Sequence, residues 1–565
     1  MKEIIIILGA GVMQGPAIEI AKELGFYTIA VDGSKEAPNI SMADQFEQID
    51  LKDKEGIETF AQTLQTKSSR LGIVTAGTDF SASVAWVAEK LELPGIPYEA
   101  ALNASDKSRM RECFKKASLP SPEFYTITAK DNFYESSLKF PVVIKPVDNM
   151  GSRGCRRVDS IEEFPQAAKA AIDFSRSGRA IVENFMDGPE FSVDAICCHG
   201  EITICGLADR HIFFPPYFIE MGHTMPAVIS EENQTAMLDT FCKGIHALGL
   251  AGEKNIGAAK GDIKLTSRGP MIGEIAARLS GGYMSGWTYP YSSGVQPIRA
   301  AILAAMGRKP DNLVPIKKFT CAERAFISIP GTVKQILNTE NAKNIPNVKD
   351  LFLRIKKGDK VTFPENNVTK CGNILAAAET REEAINAGET AAKTILIHLD
   401  PADDETGKFL FFSPDKKDAE PKVRKEQREN LFPPDAFRLN DELYSELFRL
   451  PETFIGRAVK CEEPPSAPAK HGSMYLCAKK LRLIPFPAFT SSGLRDYMGR
   501  TAGETLDAVR RLTGLEIPVI DQEETTLQST GENADNQIRL GRSFWAALIR
   551  GSYQGAVYYI ENLGK

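Results

Sequence analysis

The chain has little histidine and tryptophan, and its cysteines are not clustered. Of 565 residues only 6 are His and 3 are Trp, and the 10 Cys are scattered with no CxxC pair. That spacing excludes a zinc site of the usual Cys/His kind, and reduced thiols are the simplest reading of the cysteines. An excess of basic charge is also missing. The 68 Lys and Arg against 74 Asp and Glu leave a net charge of −6, which argues against nucleic acid as a bulk partner. Long apolar runs are absent: the N-terminal run at residues 4–8 passes straight into a glycine turn and reads as a buried strand rather than a signal peptide. Nothing approaches the roughly 20 apolar residues of a membrane-spanning helix. A soluble, cytoplasmic protein with no membrane partner is expected.

What is present is an ordinary globular composition, 43% hydrophobic and 25% charged, in a chain long enough for three to five structural units. Residues 1 to about 100 alternate strand and helix: strands at 4–8, 27–31 and 71–74, helices at 16–24, 57–64 and 81–91. This is the pattern of a parallel, doubly wound sheet. From about 180 to 300, antiparallel hairpins become the better reading. Residues 319–400 read as strands followed by a helix at 381–394. A charged, Pro-punctuated stretch at 401–430 reads as a linker, and the remaining residues have their own apolar helices at 504–512 and 542–549. The aromatics Phe544, Trp545, Tyr558 and Tyr559 are expected in a core. The turn Gly9-Ala10-Gly11-Val12-Met13-Gln14-Gly15, with Asp32 ending the next strand, mimics a dinucleotide fingerprint. Its third glycine comes one place late, with Gln14 in its stead, so close packing of strand and helix explains the glycines better than NAD does.

Four segments carry chemistry. Residues 261–282, GDIKLTSRGPMIGEIAARLSGG, read as two strands joined by the turn Ser267-Arg268-Gly269-Pro270. Alternation puts Asp262 and Lys264 on one face, and Glu274, Ala276 and Arg278 on one face of the next strand. Pairing the strands gathers two carboxylates, an ammonium and a guanidinium, as Mg²⁺ and a polyphosphate require, although a solvated charged hairpin is the bland alternative. The apolar strand at 141–146 delivers Lys145 ahead of Asp148-Asn149-Met150-Gly151-Ser152-Arg153-Gly154, whose glycines can turn backbone N–H groups toward an anion. Glu183 and Glu190 bracket Asn184, Phe185 and Met186, an irregular stretch whose backbone could read an adenine edge. Lys107 follows Ser105 and Asp106, either of which can cap a helix N-terminus.

In order, Ser105-Asp106-Lys107, Lys145-Pro146-x-Asp148-x-x-Gly151-Ser152-x-Gly154, Glu183, Glu190-x-Ser192-Val193-Asp194, Asp262 and Glu274-x-x-x-Arg278 resemble the ATP-grasp superfamily over about residues 1–400. The resemblance implies an α/β and α+β multidomain fold. Residues 1–103 would be a Rossmann-like preceding domain and 104–310 the two-lobed ATP-grasp domain, with its small lobe about 120–190. Residues 311–400 would be an associated lobe, 401–430 a linker, and 431–565 an extra α/β domain whose role the sequence does not indicate. Lys107 and Lys145 would contact ATP phosphates, with Gly151, Ser152 and Gly154 closing over them. Asn184, Phe185 and Met186 would hold adenine, with Glu183 beside them, and Glu190 the ribose. Asp262 and Glu274 would bind Mg²⁺, with Mn²⁺ as an alternative ion. Arg278 would neutralise the acyl phosphate and tetrahedral intermediates. Many members carry Asn where this chain has Ala276, which implies a weaker or water-completed second Mg²⁺ site.

The implied activity is ATP-dependent joining of a small-molecule carboxylate to an amine, releasing ADP and phosphate. The Arg278-Leu279-Ser280-Gly281-Gly282 ending and the segment 217–226 look like the amino-acid ligase branch. Glu220 and His223, three apart in that segment, could read an ammonium group or act as base, or be a polar pair on a loop. A bicarbonate-activating carboxylase and a non-catalytic ATP-binding regulator are the alternatives, and a homodimer is left open.

Overall fold

Five consecutive apolar residues, Ile4-Ile5-Ile6-Ile7-Leu8, place side chains on both faces of a strand, so both faces must be covered. In the computed structural model they are. The structure describes residues 1–131, 139–214 and 216–411, and in the C-terminal region residues 511, 514, 547, 551 and 553–562. The expected helices 504–512 and 542–549, the residues Phe544 and Trp545, and most of 401–565 lie outside them. Among the described residues, no helix is long and apolar enough to cross a membrane. They form two units: Met1–His211 with Gly222–Glu323 and Ala377–Ala384, and Ile212–Met221 with Arg324–Ala376 and the described residues from Ile385 onward.

The first unit opens with strands β1 (Lys2–Leu8), β2 (Tyr27–Asp32), β3 (Gln45–Gln48) and β4 (Ser68–Thr75), interleaved with helices α1 (Gly15–Glu23), α2 (Lys54–Gln65) and α3 (Ser81–Lys90). The sheet order is β3-β2-β1-β4, all parallel. Ile5 and Ile7 pack with Ala17 and Ile18 of α1 and with Ile298 and Ile302 of the helix Pro297–Ala305. Ile4, Ile6 and Leu8 pack on the other side with Ile57 and Ala61 of α2 and Val87 of α3. The edge strand β3, sequence QFEQ, carries no apolar run and gave no signal in the sequence.

Next come α4 (Tyr98–Ser105) and α5 (Lys107–Lys116). Of the two candidate caps Asp106 is the one used, its carboxylate accepting the Ser108 N–H at 2.8 Å. Strands β5 (Phe124–Thr128), β6 (Val142–Pro146), β7 (Arg156–Val158) and β8 (Arg179–Asn184) make an antiparallel sheet ordered β5-β8-β6-β7, and α6 (Phe164–Phe174) covers one face of it. A second antiparallel sheet contains β9 (Glu190–Cys198), β10 (Glu201–Phe213), β11 (Ile219–Met225), β12 (Ile256–Thr266) and β13 (Gly269–Ala276), in the order β13-β12-β9-β10-β11. Helix α7 (Glu231–Leu248) lies on its apolar face so closely that a side chain at Gly261 would meet the Phe241 ring at 2.5 Å. The expected hairpin is present, with Thr266 facing Gly269 across the turn.

The second unit contains an antiparallel sheet of Lys360–Val361, Gly331–Leu337 and Leu396–Leu399. The stretch expected to open a linker at 401 instead forms the helix Asp404–Phe411, because Phe409 and Leu410 are buried in this unit's core. Helical residues 553–562 complete that core. Tyr558 is buried as expected of a core aromatic, beside Val557 and Ile560. Gln554 donates to the Ile397 carbonyl at 2.7 Å and to Ser328 Oγ at 2.9 Å, and accepts from the Ile329 N–H. His398 meets the Glu561 carboxylate at 2.9 Å.

Gln554→Leu leaves a buried N–H and a buried carbonyl without their side-chain partner, a cost of about 2–4 kcal/mol. Amide exchange at Leu396–Leu399 should accelerate accordingly. Unchanged protection would show that this contact does not hold the segment.

Candidate active site

The four strands β13, β12, β9 and β10 build the polar patch. Register places Asp262 opposite Glu274 on one side and Ser192 on the other. One step along, Lys260 faces Ala276 and Asp194, and one step the other way Lys264 faces Glu190, which in turn faces Arg210. Because strand side chains alternate, all of these project from one face, while Phe191, Val193, Ile263 and Ile275 project from the other into the core.

A β-bulge completes the arrangement. The register shifts after Asp262, so Gly273 is the extra residue on β13. Ile272 and Ile275, three apart, both reach the core, and Glu274 is aimed at Asp262. The bulge carbonyls are held by Arg111 of α5, whose guanidinium donates to Ile272 O at 3.0 Å and Gly273 O at 2.7 Å. Arg111 is 1% exposed and also donates to Glu183 Oε1 at 2.7 Å. The other Glu183 oxygen meets the Lys145 ammonium at 2.7 Å. Burial works against the Glu183 carboxylate, but Arg111 and Lys145 outweigh it and hold its pKa at about 2.

Glu183 was expected beside the adenine segment. The structure instead buries it, with both oxygens committed to cations, so it orients Lys145 and Arg111. Arg111 gave no signal in the sequence, since in KSRMRECFKK it reads as one more surface cation.

Lys107 and Glu274 are 3.5 Å apart, and the Lys107 ammonium donates to Asn149 O at 2.9 Å. Burial raises the Glu274 carboxyl, yet Lys107 and then Lys260 draw it down to about 2. The same pairing, against burial, raises the Lys107 pKa. Asp262 accepts from Arg210 at 2.8 Å and from Ser192 Oγ at 3.2 Å, and pairs with Lys260. Glu190 pairs with Arg210. Arg278, just past β13, is 9% exposed, and its Nε has no hydrogen-bond partner among the described residues. Next to it Asp194 is buried and accepts from the Ser280 N–H at 2.8 Å, fixing the chain after Arg278.

Gly151, Ser152 and Gly154 all have left-handed backbone, with φ of 69°, 59° and 67°. These residues curl the chain sharply after β6, and Ser152 adopts that backbone without being glycine. Asn184 ends β8. Arg157 lies over the Phe185 ring at 4.5 Å, and the Met186 carbonyl accepts from Lys264 at 3.2 Å.

One expectation changes. Glu220 and His223 lie on strand β11, not a loop, so an offset of three sends their side chains to opposite faces. His223 is fully buried, 3.0 Å from Thr288 Oγ1 and 3.2 Å from the Glu323 carboxylate. The structure does not bring Glu220 and His223 together as a pair. The N-terminal glycine turn is also closed: the Gly11 N–H donates to Gln14 Oε1 at 3.0 Å and the Ala10 N–H to Asp32 at 2.9 Å. With φ of 98°, Gly9 lies against the Gln14 side chain, which a Cβ there would meet at 3.0 Å.

Comparison with known proteins adds two family matches: an ATP-grasp domain over residues 138–286 and the L-amino acid ligase C-terminal domain 2 over 325–400. An uncharacterized protein, y4rH, of Sinorhizobium fredii is 26% identical over 59% of this chain and 69% of its own. A D-alanine–D-alanine ligase of Alcanivorax borkumensis is 33% identical over 23% of this chain, which spans only 40% of that ligase's length. The solved L-amino acid ligase of Bacillus licheniformis shares the fold at a TM-score of 0.63 and 21% identity, over 70% of this chain and 99% of its own.

Arg111→Met should lower stability at neutral pH by about 3–5 kcal/mol, because Glu183 stays buried with one cation removed. The Glu183 pKa is depressed from 4.5 to about 2, so its contribution, about 3 kcal/mol, is complete above pH 4.5 and lost as pH falls toward 2. Urea titrations at pH 7 and pH 3 should therefore show the gap between variant and wild type narrowing. A gap independent of pH would refute the electrostatic account.

Proposed function

We propose that this chain, an ATP-grasp ligase by its domain content, activates the carboxylate of an amino acid as an acyl phosphate and passes it to an amine, releasing ADP and phosphate. The observation that carries the reading is the pairing of Asp262 with Glu274 on one sheet face, with Lys107 against Glu274 and the unpartnered Arg278 Nε beside them.

Two cross-strand carboxylates with few other oxygen donors fit Mg²⁺, which keeps several waters and shares its remaining positions with phosphates. Asp262 and Glu274 would hold it, with Mn²⁺ able to substitute. Once bound, the ion supplies charge neutralisation to the transferring phosphoryl group. Lys107 and Lys145 bind phosphate oxygens, with Lys145 held in place by Glu183. The left-handed turn at residues 151–154 offers backbone N–H groups to the same phosphates. Asn184, Phe185 and Met186 form the edge against which the base rests, and Glu190 accepts from ribose hydroxyls. Arg278 is the group for the acyl phosphate: a buried guanidinium nitrogen without a partner is preorganised for an anion that forms only during the reaction.

Amino acids as the carboxylate class are supported by the ligase C-terminal domain match. Purified protein with Mg-ATP should release phosphate only when amino acids are supplied, and pairs of amino acids should identify donor and acceptor. Arg278→Met and Glu274→Gln should each reduce kcat by about 10²–10³-fold. Release driven by bicarbonate alone would replace this reading with a carboxylase. ATP binding without turnover across all amino acids would point to a regulator.

A further inference from the structure

Lys260 has no role in the scheme above, yet it stands at its centre. It lies on β12 two residues before Asp262, so both side chains project from the same face. Its ammonium pairs with Asp262, and its side chain is 14% exposed. The residue opposite it on β9 is Asp194, whose carboxyl burial pushes up and Lys260 helps pull down. On β13, Glu274 faces Asp262, one same-face pair along from Lys260. Lys260 therefore pairs with Asp262, faces Asp194 across β9 and stands one pair along from Glu274 on β13.

On the β13 side the row of Lys260 adds no ligand. The partner of Lys260 on β13 is Ala276, which has no donor atom. Among the described residues no group of three or more His, Cys, Asp or Glu is placed to hold a metal ion. The Asp262 oxygens are already engaged: Oδ1 accepts from Arg210 and Ser192, and Oδ2 pairs with Lys260. A divalent ion added on that side would face a fixed positive charge at close range in a partly buried site, where such repulsion is poorly screened.

We propose that the Lys260 ammonium takes the electrostatic place of a second divalent cation, so that nucleotide binds here with one metal ion rather than two. This rests on the reading of Asp262 and Glu274 as the Mg²⁺-nucleotide face. A lysine in this position makes the second charge permanent, where a second ion would have to be recruited from solution.

The test counts metal rather than turnover. Mn²⁺ is titrated by electron paramagnetic resonance into protein saturated with β,γ-imido-ATP, and nucleotide occupancy is measured on the same samples by equilibrium dialysis. Wild type should bind one Mn²⁺ per bound nucleotide. Lys260→Gln, which leaves the three carboxylates without their ammonium, should bind two, and Lys260→Arg, which keeps the charge, should bind one. Two Mn²⁺ in wild type or in Lys260→Arg, or one in Lys260→Gln, would overturn the proposal. Should Lys260→Gln not fold, the wild-type and Lys260→Arg counts still decide it. Failure of wild type to bind the nucleotide at all is a different result: it removes the ATP-grasp assignment of this face, and the proposal with it.

Discussion

One buried guanidinium organises the candidate active site. Arg111 carries a full charge where almost no water reaches it, which is tolerable only because Glu183 and two carbonyls surround it. Those partners come from separate parts of the chain. Glu183 ends the small sheet and fixes Lys145, and the carbonyls of Ile272 and Gly273 form the bulge that aims Glu274. Lys145 and Glu274 are therefore referenced to the same group. An ion pair of this kind contributes less to net stability than to geometry, since apolar residues of similar shape would cost no desolvation.

The polar face is nearly balanced in charge without any ligand. Asp262, Glu274 and Glu190 are each met by cations: Arg210 and Lys260, Lys107, and Arg210 again. Each carboxylate on this face is thus already compensated by a cation from another strand or helix. The pairing holds the carboxylates in position. Arg278 is the exception, held by the chain after β13 and by Asp194 through Ser280, with one nitrogen unmatched. That imbalance suits a site in which negative charge develops late.

The second unit follows a different logic. Its core is mostly apolar and draws on residues from Phe214 to Ile560. The buried Gln554 side chain satisfies backbone groups of two separate segments, where an apolar side chain would leave them unpaired. Helical residues 553–562 thus serve as part of this unit's interior, and they extend the packed structure well past the stretch matched at 325–400.

Much of this was legible in the chain itself. Local pattern suffices where the signal is periodic or chemical at short range: the doubly wound N-terminal sheet from its apolar runs, a helix cap at Ser105 or Asp106, and Asp262 with Glu274 from alternation across a tight turn. It fails where a residue's meaning is set by a partner far along the chain. Arg111 and Glu183 are 72 residues apart, and Arg111 lies 162 from Gly273, so nothing nearby distinguishes Arg111 from its basic neighbours. His223 reads as a candidate base until the sheet buries it, and Gln14 as a flaw in a fingerprint until it closes the turn. Sequence alone determined which chemistry-bearing residues the strands present and in what order, because alternation and capping are local rules. Only the tertiary structure decided which charges neutralise one another, because electrostatic pairing depends on distance in space, not along the chain.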